Sequence, residues 1–225
     1  MTLDAWSQLF ADWRIFALGL GHTLFVAALA LVFSTILGFV FGLLGVAPSG
    51  FLRALNRVYV EGIRNTPLLL QAFFLYYGLP RVHIVLPVLA VGVVSLSIYT
   101  GAFIAEVVRA GIQSVARGQL EAAYAQGFGF AAAMWHVVLP QAFRVILPPY
   151  TNQCVNLIKN TQILSLIAGA DLVYQADTWS SETLLYGVAY VTVGALYLII
   201  TLPLATMARW LERRTGAALD IGRVA

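Results

Sequence analysis

Asn152, Gln153, Asn156, Lys159, Asn160, Thr161 and Gln162 crowd into one otherwise apolar stretch of the chain. Offsets of four and eight put Asn152, Asn156 and Asn160 on one stripe of a helix, with Gln153 beside it. Carboxamides both donate and accept hydrogen bonds. The stripe can therefore hydrogen-bond the polar groups of a solute, or it can tie helices together through interhelical hydrogen bonds. Covalent chemistry has no comparable support, because no segment groups an acid, a base and a nucleophile. The single Cys154 excludes an internal disulfide, and with the scattered His22, His83 and His136 it makes no metal-ligand pattern.

A second constellation lies upstream: Glu121-Ala122-Ala123, three residues, Gly127, nine residues, then Val137-Val138-Leu139-Pro140. Residues from Arg117 to Gln126 are good helix formers, and Ala122, Ala123 and Ala125 offer little bulk. Gly127 and Gly129 break that helix and permit a sharp reversal. A second short helix then carries Trp135 and Val137 toward Pro140. Two short helices meeting at glycine form a compact knob, fit either to enter a groove on another protein or to lie on a membrane as an amphipathic loop.

The elements that must position these residues follow from composition. Of 225 residues, 60% are hydrophobic and 10% charged, with mean hydropathy +0.85. Soluble domains carry roughly 25% charged residues, so this chain is too poor in charge to cover a water-facing surface. The expected fold class is an all-α integral membrane protein forming one transmembrane domain over 1–225, with spans of roughly 20 apolar residues each. Five are predicted, at about 15–45, 58–80, 84–108, 143–170 and 184–208, with the Glu121 element in the connection at about 109–142. The first is read as a retained span, since Asp4 and Asp12 precede it in place of a basic region and its length exceeds a signal sequence. Segment 58–80 is the least regular, because Glu61 and Arg64 fall in its first turns. Pro148 and Pro149 are expected to mark the start or a kink of the fourth segment. Glu106 and Arg109, one helical turn apart, are expected to form a local ion pair. No internal repeat and no second domain are visible.

Arginine placement predicts orientation, since cytoplasmic loops collect positive charge. Arg53, Arg57 and Arg64 flank the first connection, Arg109, Arg117 and Arg144 the third, and Arg209, Arg213, Arg214 and Arg223 lie in the tail. The opposite faces hold Arg14 and Arg81 with Asp4, Asp12, Asp171, Asp177 and Glu182. This predicts the N-terminus outside, the C-terminus in the cytoplasm, and the Glu121 element on the cytoplasmic side.

At these residues the chain resembles the inner-membrane permease subunits of bacterial ABC importers. Their signature reads E-A-A, three residues, G, nine residues, I, any residue, L-P, with Val137 here in place of Ile. Tyr59-Val60-Glu61, Arg64-Asn65-Thr66-Pro67-Leu68-Leu69, Tyr76 to Pro80, Glu106 to Ile112 with Gly118-Gln119, Leu139-Pro140-Gln141-Ala142, Leu147-Pro148-Pro149 and Lys159-Asn160-Thr161 look like the polar amino acid permeases (histidine, glutamine and glutamate). The likeness runs from about residue 19 to 175.

The resemblance implies a type I ABC importer permease fold and a division of labour. Two permease chains, identical or homologous, would form the pathway. Two ATP-binding cassette subunits would drive it, and a solute-binding protein would deliver the amino acid, all at the bacterial inner membrane among its lipids. The chain would bind no cofactor, ATP-Mg being held by the partner subunits. This agrees with the absence of a P-loop around Lys159, the only lysine. Glu121, Ala122, Ala123 and Gly127, with Leu139 and Pro140, would form the ATPase-coupling element; Asn152, Gln153, Asn156 and Asn160 would bind substrate. Many members read Lys-Asp-Thr-Ser where this chain has Lys159-Asn160-Thr161-Gln162, and the missing carboxylate favours neutral or acidic amino acids over basic ones. The competing expectation is an ion-coupled secondary carrier or channel using Glu106 or Lys159. No nucleic-acid partner is expected.

Overall fold

The computed structural model describes residues 3–215, and these are all-helical. Arg223, counted above toward orientation, lies outside the described residues. A short α1 (Leu3–Ala11) leads into α2 (Trp13–Leu44). Then follow α3 (Gly50–Arg64), α4 (Leu68–Phe73) and α5 (Val88–Gln113). The knob contains α6 (Arg117–Ala125) and α7 (Phe130–Ala133), after which α8 (Leu139–Asn160), α9 (Leu172–Thr183) and α10 (Tyr186–Thr215) complete the bundle.

Four helical runs are long and apolar enough to cross a membrane: Trp13–Leu44, Val88–Gln113, Phe130–Ile167 and Tyr186–Arg214. They correspond to the predicted first, third, fourth and fifth segments. The predicted 58–80 segment is not one helix. It is broken at Asn65-Thr66-Pro67 into α3 and a shorter apolar run, Leu68–Val82. Pro67 lacks an N–H and disfavours helical backbone at Thr66. The carbonyls freed at the end of α3 are recaptured by side chains: Asn65 Nδ2 donates to Glu61 O, Thr66 Oγ1 to Gly62 O, each at 2.8 Å, and Gln71 Nε2 to both Ile63 O and Thr66 O at 3.1 Å. Unsatisfied backbone is costly in lipid, so such a break needs its own partners.

Pro148 and Pro149 do not start the fourth segment; they lie inside α8. The accommodation to proline comes earlier, where a π turn over Met134–Val138 joins α7 to α8 just before Leu139-Pro140. The same solution occurs at Phe74–Gly78, a π turn just before Leu79-Pro80. In both, the widened turn absorbs the missing donor and the bulk of the ring. The short helix expected before Pro140 is thus continuous with the span after it, and α5 runs on to Gln113, five residues beyond its predicted end at 108.

α2 and α5 form the most intimate pair. The buried face of α2 carries Gly19, Thr23, Val26, Ala27, Ala30, Ser34, Gly38 and Gly42, spaced for one helical stripe. A Cβ on Gly38 would stand 2.3 Å from Ile104 Cγ2, and one on Gly42 2.6 Å from Val108 Cβ. Small residues bring helix backbones together where apolar burial gives no net drive in lipid. The opposite face exposes Leu18, Phe25, Val32, Phe33, Ile36 and Val40.

Three core clusters run along the bundle. One gathers Leu9, Phe16, Leu172, Trp179 and Val188; the next Val26, Leu96, Leu157 and Leu164; the third Ile104, Val108, Met134, Val138 and Ile146. α1 and α9, neither foreseen from sequence, build the first. Trp179 Nε1 donates to Asp12 Oδ2 at 2.8 Å, fastening α9 to the start of α2.

Candidate functional site: an exposed knob and an amide cavity

The knob sits at the end of the bundle where α5 stops and the α7–α8 run begins. α6 ends in a Schellman motif: Gly127, at φ +85°, donates its N–H to Tyr124 O at 2.9 Å, and Phe128 N–H to Ala123 O at 3.1 Å. The sequence reading of Gly127 as the helix stop is therefore met by backbone geometry. Glu121, Ala122, Tyr124 and Ala125 are exposed, and Trp135 is 70% exposed beyond the turn. Ala123 is only 3% exposed and turned into the protein, so it anchors α6 instead of offering a face. Leu139 is half-buried against the third core cluster, while Pro140 stays exposed at the π turn. The signature residues thus divide into a presented surface, at Glu121 and Ala122, and the parts that hold it, at Ala123, Gly127, Leu139 and Pro140. Gln141 Nε2 also reaches Gln119 Oε1 at 3.3 Å, tying α8 back to α6. Behind the knob, a cavity of about 720 Å³ separates Leu120 and Tyr124 from Gly45 to Pro48 at the end of α2.

The amide residues lie elsewhere, level with the middle of α5. Gln153, Asn156, Lys159 and Asn160 line a cavity of about 380 Å³ together with Tyr99, Thr100 and Phe103. Asn152 is exposed outside that lining. Asn160 also borders a second cavity of about 380 Å³, with Leu68 and Leu69 at the start of α4 and Gln162, Ser165 and Leu166. Just beyond Asn160 the α-helix tightens into a 3-10 turn over Thr161–Ile167. Within the described residues, the side chains of Gln153, Asn156, Lys159 and Asn160 make no hydrogen bond or ion pair. That is the pattern of groups facing a cavity, not of groups gluing two helices.

Sequence reasoning did not find Tyr99, Thr100 and Phe103. Tyr99 and Phe103 meet at a tilt one turn apart, 5.0 Å between ring centroids, and a pair at that spacing reads equally well as core packing. The guanidinium of Arg64 lies 5.1 Å from the Phe103 ring centroid. Glu106 and Arg109 form the expected ion pair, bidentate at 2.6 and 2.9 Å. Arg109 also donates to Gln113 at 2.7 Å.

At the Trp179 end, Asp171 is fully buried and caps α9, accepting from the N–H groups of Val173 and Tyr174, each at 3.2 Å. Burial pushes its carboxyl up to about 6, against the lowering effect of those N–H bonds. Among the described residues no three His, Cys, Asp or Glu side chains group as a metal site.

Comparison with known proteins bears on the family and the fold. The family of binding-protein-dependent transport system inner membrane components matches residues 34–217. A probable glutamine ABC transporter permease protein of Bacillus subtilis, GlnM, is 45% identical over 208 residues, covering 92% of this chain and 96% of its own. The L-cystine transport system permease protein TcyB of the same organism is 35% identical, covering 90% of this chain and 87% of its own. Among solved structures, an amino acid ABC transporter crystallised with histidines superimposes with TM-score 0.86 at 36% identity, covering 95% of this chain and all of the other. An inward-facing MetNI methionine ABC transporter shares the fold, with TM-score 0.72 at 16% identity over 91% of this chain and 98% of that one. The chain belongs to the family of binding-protein-dependent transport system inner membrane components, the membrane-spanning permeases of ABC transporters.

Proposed function

We propose that the chain is the transmembrane subunit of an ATP-driven importer of a polar amino acid, neutral or acidic in preference to basic. The carrying observation is the separation of two sites in one bundle: an exposed knob at one end, and a solvent-open cavity lined by unpaired amides midway along it. A pair of such chains would enclose the pathway, and family membership implies ATPase and permease partners. The knob, through Glu121 and Ala122, docks into the ATPase, which supplies the ATP-Mg chemistry that this chain lacks the P-loop to perform. A solute-binding protein feeds the opposite end. The arginine distribution supports a cytoplasmic knob and C-terminus with the N-terminus outside.

Asn156, Asn160 and Gln153 hydrogen-bond the solute, while Asn152, expected on the same stripe, lies exposed outside the lining. The cavity lining contains no carboxylate, which disfavours a cationic side chain. Glu106 is held in its ion pair with Arg109, which counts against the ion-coupled alternative. Related permeases are named for glutamine and cystine, both neutral, whereas the structural neighbour was crystallised with histidines, so the preference rests on the cavity lining.

Reconstitution with a cognate ATPase and binding protein in liposomes tests the reading. Uptake of labelled amino acid is expected only with ATP, with neutral and acidic amino acids outcompeting arginine, lysine and histidine. Uptake driven by an ion gradient without ATPase, or preference for a basic amino acid, overturns it.

A further inference from the structure

Lys159 is the only lysine in the chain, and the structure leaves it without an ion pair among the described residues. It lies in the last turn of α8, exposed to the cavity that Tyr99, Thr100, Phe103, Gln153, Asn156 and Asn160 complete. Every other lining group is neutral. A lone cation within a candidate membrane span is costly unless it meets an anion or water, and the acid nearest along α5 is not free. Glu106 gives both carboxylate oxygens to Arg109. Lys159 is thus the one formally charged group on the cavity lining, where amides and hydroxyls can accept from an ammonium group but only Lys159 can neutralise a carboxylate at close range.

We propose that Lys159 is the carboxylate anchor of the amide cavity, so that the permease itself selects for solutes with an unmasked α-carboxylate. The proposal rests on the reading of this cavity as the solute site. Its competitor is a purely structural role, in which Lys159 offsets the partial negative charge at the C-terminus of α8. The two differ in what the ligand must carry. An anchor senses removal of the ligand's carboxylate; a helix-end charge does not.

The test is equilibrium binding to the purified permease–ATPase complex without binding protein, using labelled L-glutamine and the same molecule with its α-carboxylate converted to the primary amide. The wild-type complex is expected to lose at least about tenfold affinity on amidation, the scale of one charge-assisted contact. Lys159→Gln should bind L-glutamine about tenfold more weakly and show no further loss with the amide, while Lys159→Arg recovers most of the affinity. ATP hydrolysis and gel filtration of each complex report assembly independently. A Lys159→Gln complex that is assembled and binds L-glutamine as tightly as wild type overturns the proposal, as does one that still discriminates against the amide as wild type does. A wild-type complex that binds none of a panel of neutral and acidic amino acids overturns the solute-site reading beneath it.

Discussion

The side-chain amide of Gln71 donates at 3.1 Å to the carbonyl of Ile63, reaching from α4 back across the break to the last turn of α3. The same nitrogen serves Thr66 O. Gln71→Leu keeps the volume and removes both bonds. Loss of these partly exposed hydrogen bonds costs about 0.5–1.5 kcal/mol each, so the thermal transition of the solubilised protein should fall. Gln71→Glu should be less damaging at acid pH than at neutral pH, since only its protonated form can donate.

The α2–α5 contact should be intolerant of bulk at defined positions. Gly38→Val and Gly42→Val drive branched side chains against Ile104 and Val108, whose nearest atoms lie 2.3 and 2.6 Å from the new Cβ. Overpacking of that kind costs about 1–3 kcal/mol or more. Gly21→Ala, on the same helix with nothing within 4 Å of its Cβ, should be neutral or slightly stabilising. Thermal transitions of the three variants decide it.

Asp171 predicts a pH dependence with a definite sign. Its folded carboxyl titrates at about 6 against an ordinary 3.8, so between those values the folded state binds more protons than the unfolded state. Stability therefore falls as pH rises from about 4 to 6 and levels off above, a loss on the order of 2–3 kcal/mol. Asp171→Asn should abolish that portion of the slope while retaining an oxygen to cap α9. Transition temperatures of wild type and variant, measured from pH 4 to 8, give the difference directly.

Gly127→Ala separates backbone strain from sterics, because φ is +85° and nothing lies within 4 Å of the added Cβ. The cost of about 1 kcal/mol falls on the α6 turn alone. The bundle's thermal transition should move little, whereas ATP-driven uptake should drop several-fold because the presented face of α6 is displaced. Equal uptake by the variant would show that the turn's conformation is not needed for coupling.

Much of this molecule was legible from residue order. Hydrophobic runs located the four long helical runs, and the Ala-rich stretch ending at Gly127 located α6, because these depend on local periodicity and on one residue able to adopt positive φ. What escaped depended on tertiary contact. α9 is only mildly amphipathic, and its burial rests on Phe16 and Trp179 meeting edge to face, 5.5 Å apart, from opposite ends of the sequence. The break at Asn65-Thr66-Pro67 within the predicted 58–80 span was not foreseen, since its tolerance depends on Gln71, whose partner cannot be read from sequence. The polar stripe of α8 was found, but its cavity-facing members are Gln153, Asn156, Lys159 and Asn160; helical spacing alone could not show that Asn152 falls outside or that Tyr99, Thr100 and Phe103 close the other wall.

The central claim is that energy enters through the exposed face of α6. Its most direct measurement is ATP-driven uptake by liposomes containing the complete transporter with Glu121→Lys in this chain, which reverses the charge at an exposed position and leaves the bundle's core untouched. The account predicts that the variant assembles in the membrane, that uptake falls by at least about tenfold, as loss of about 1.4 kcal/mol of coupling requires, and that ATP hydrolysis no longer responds to solute-loaded binding protein. Uptake equal to wild type would contradict it.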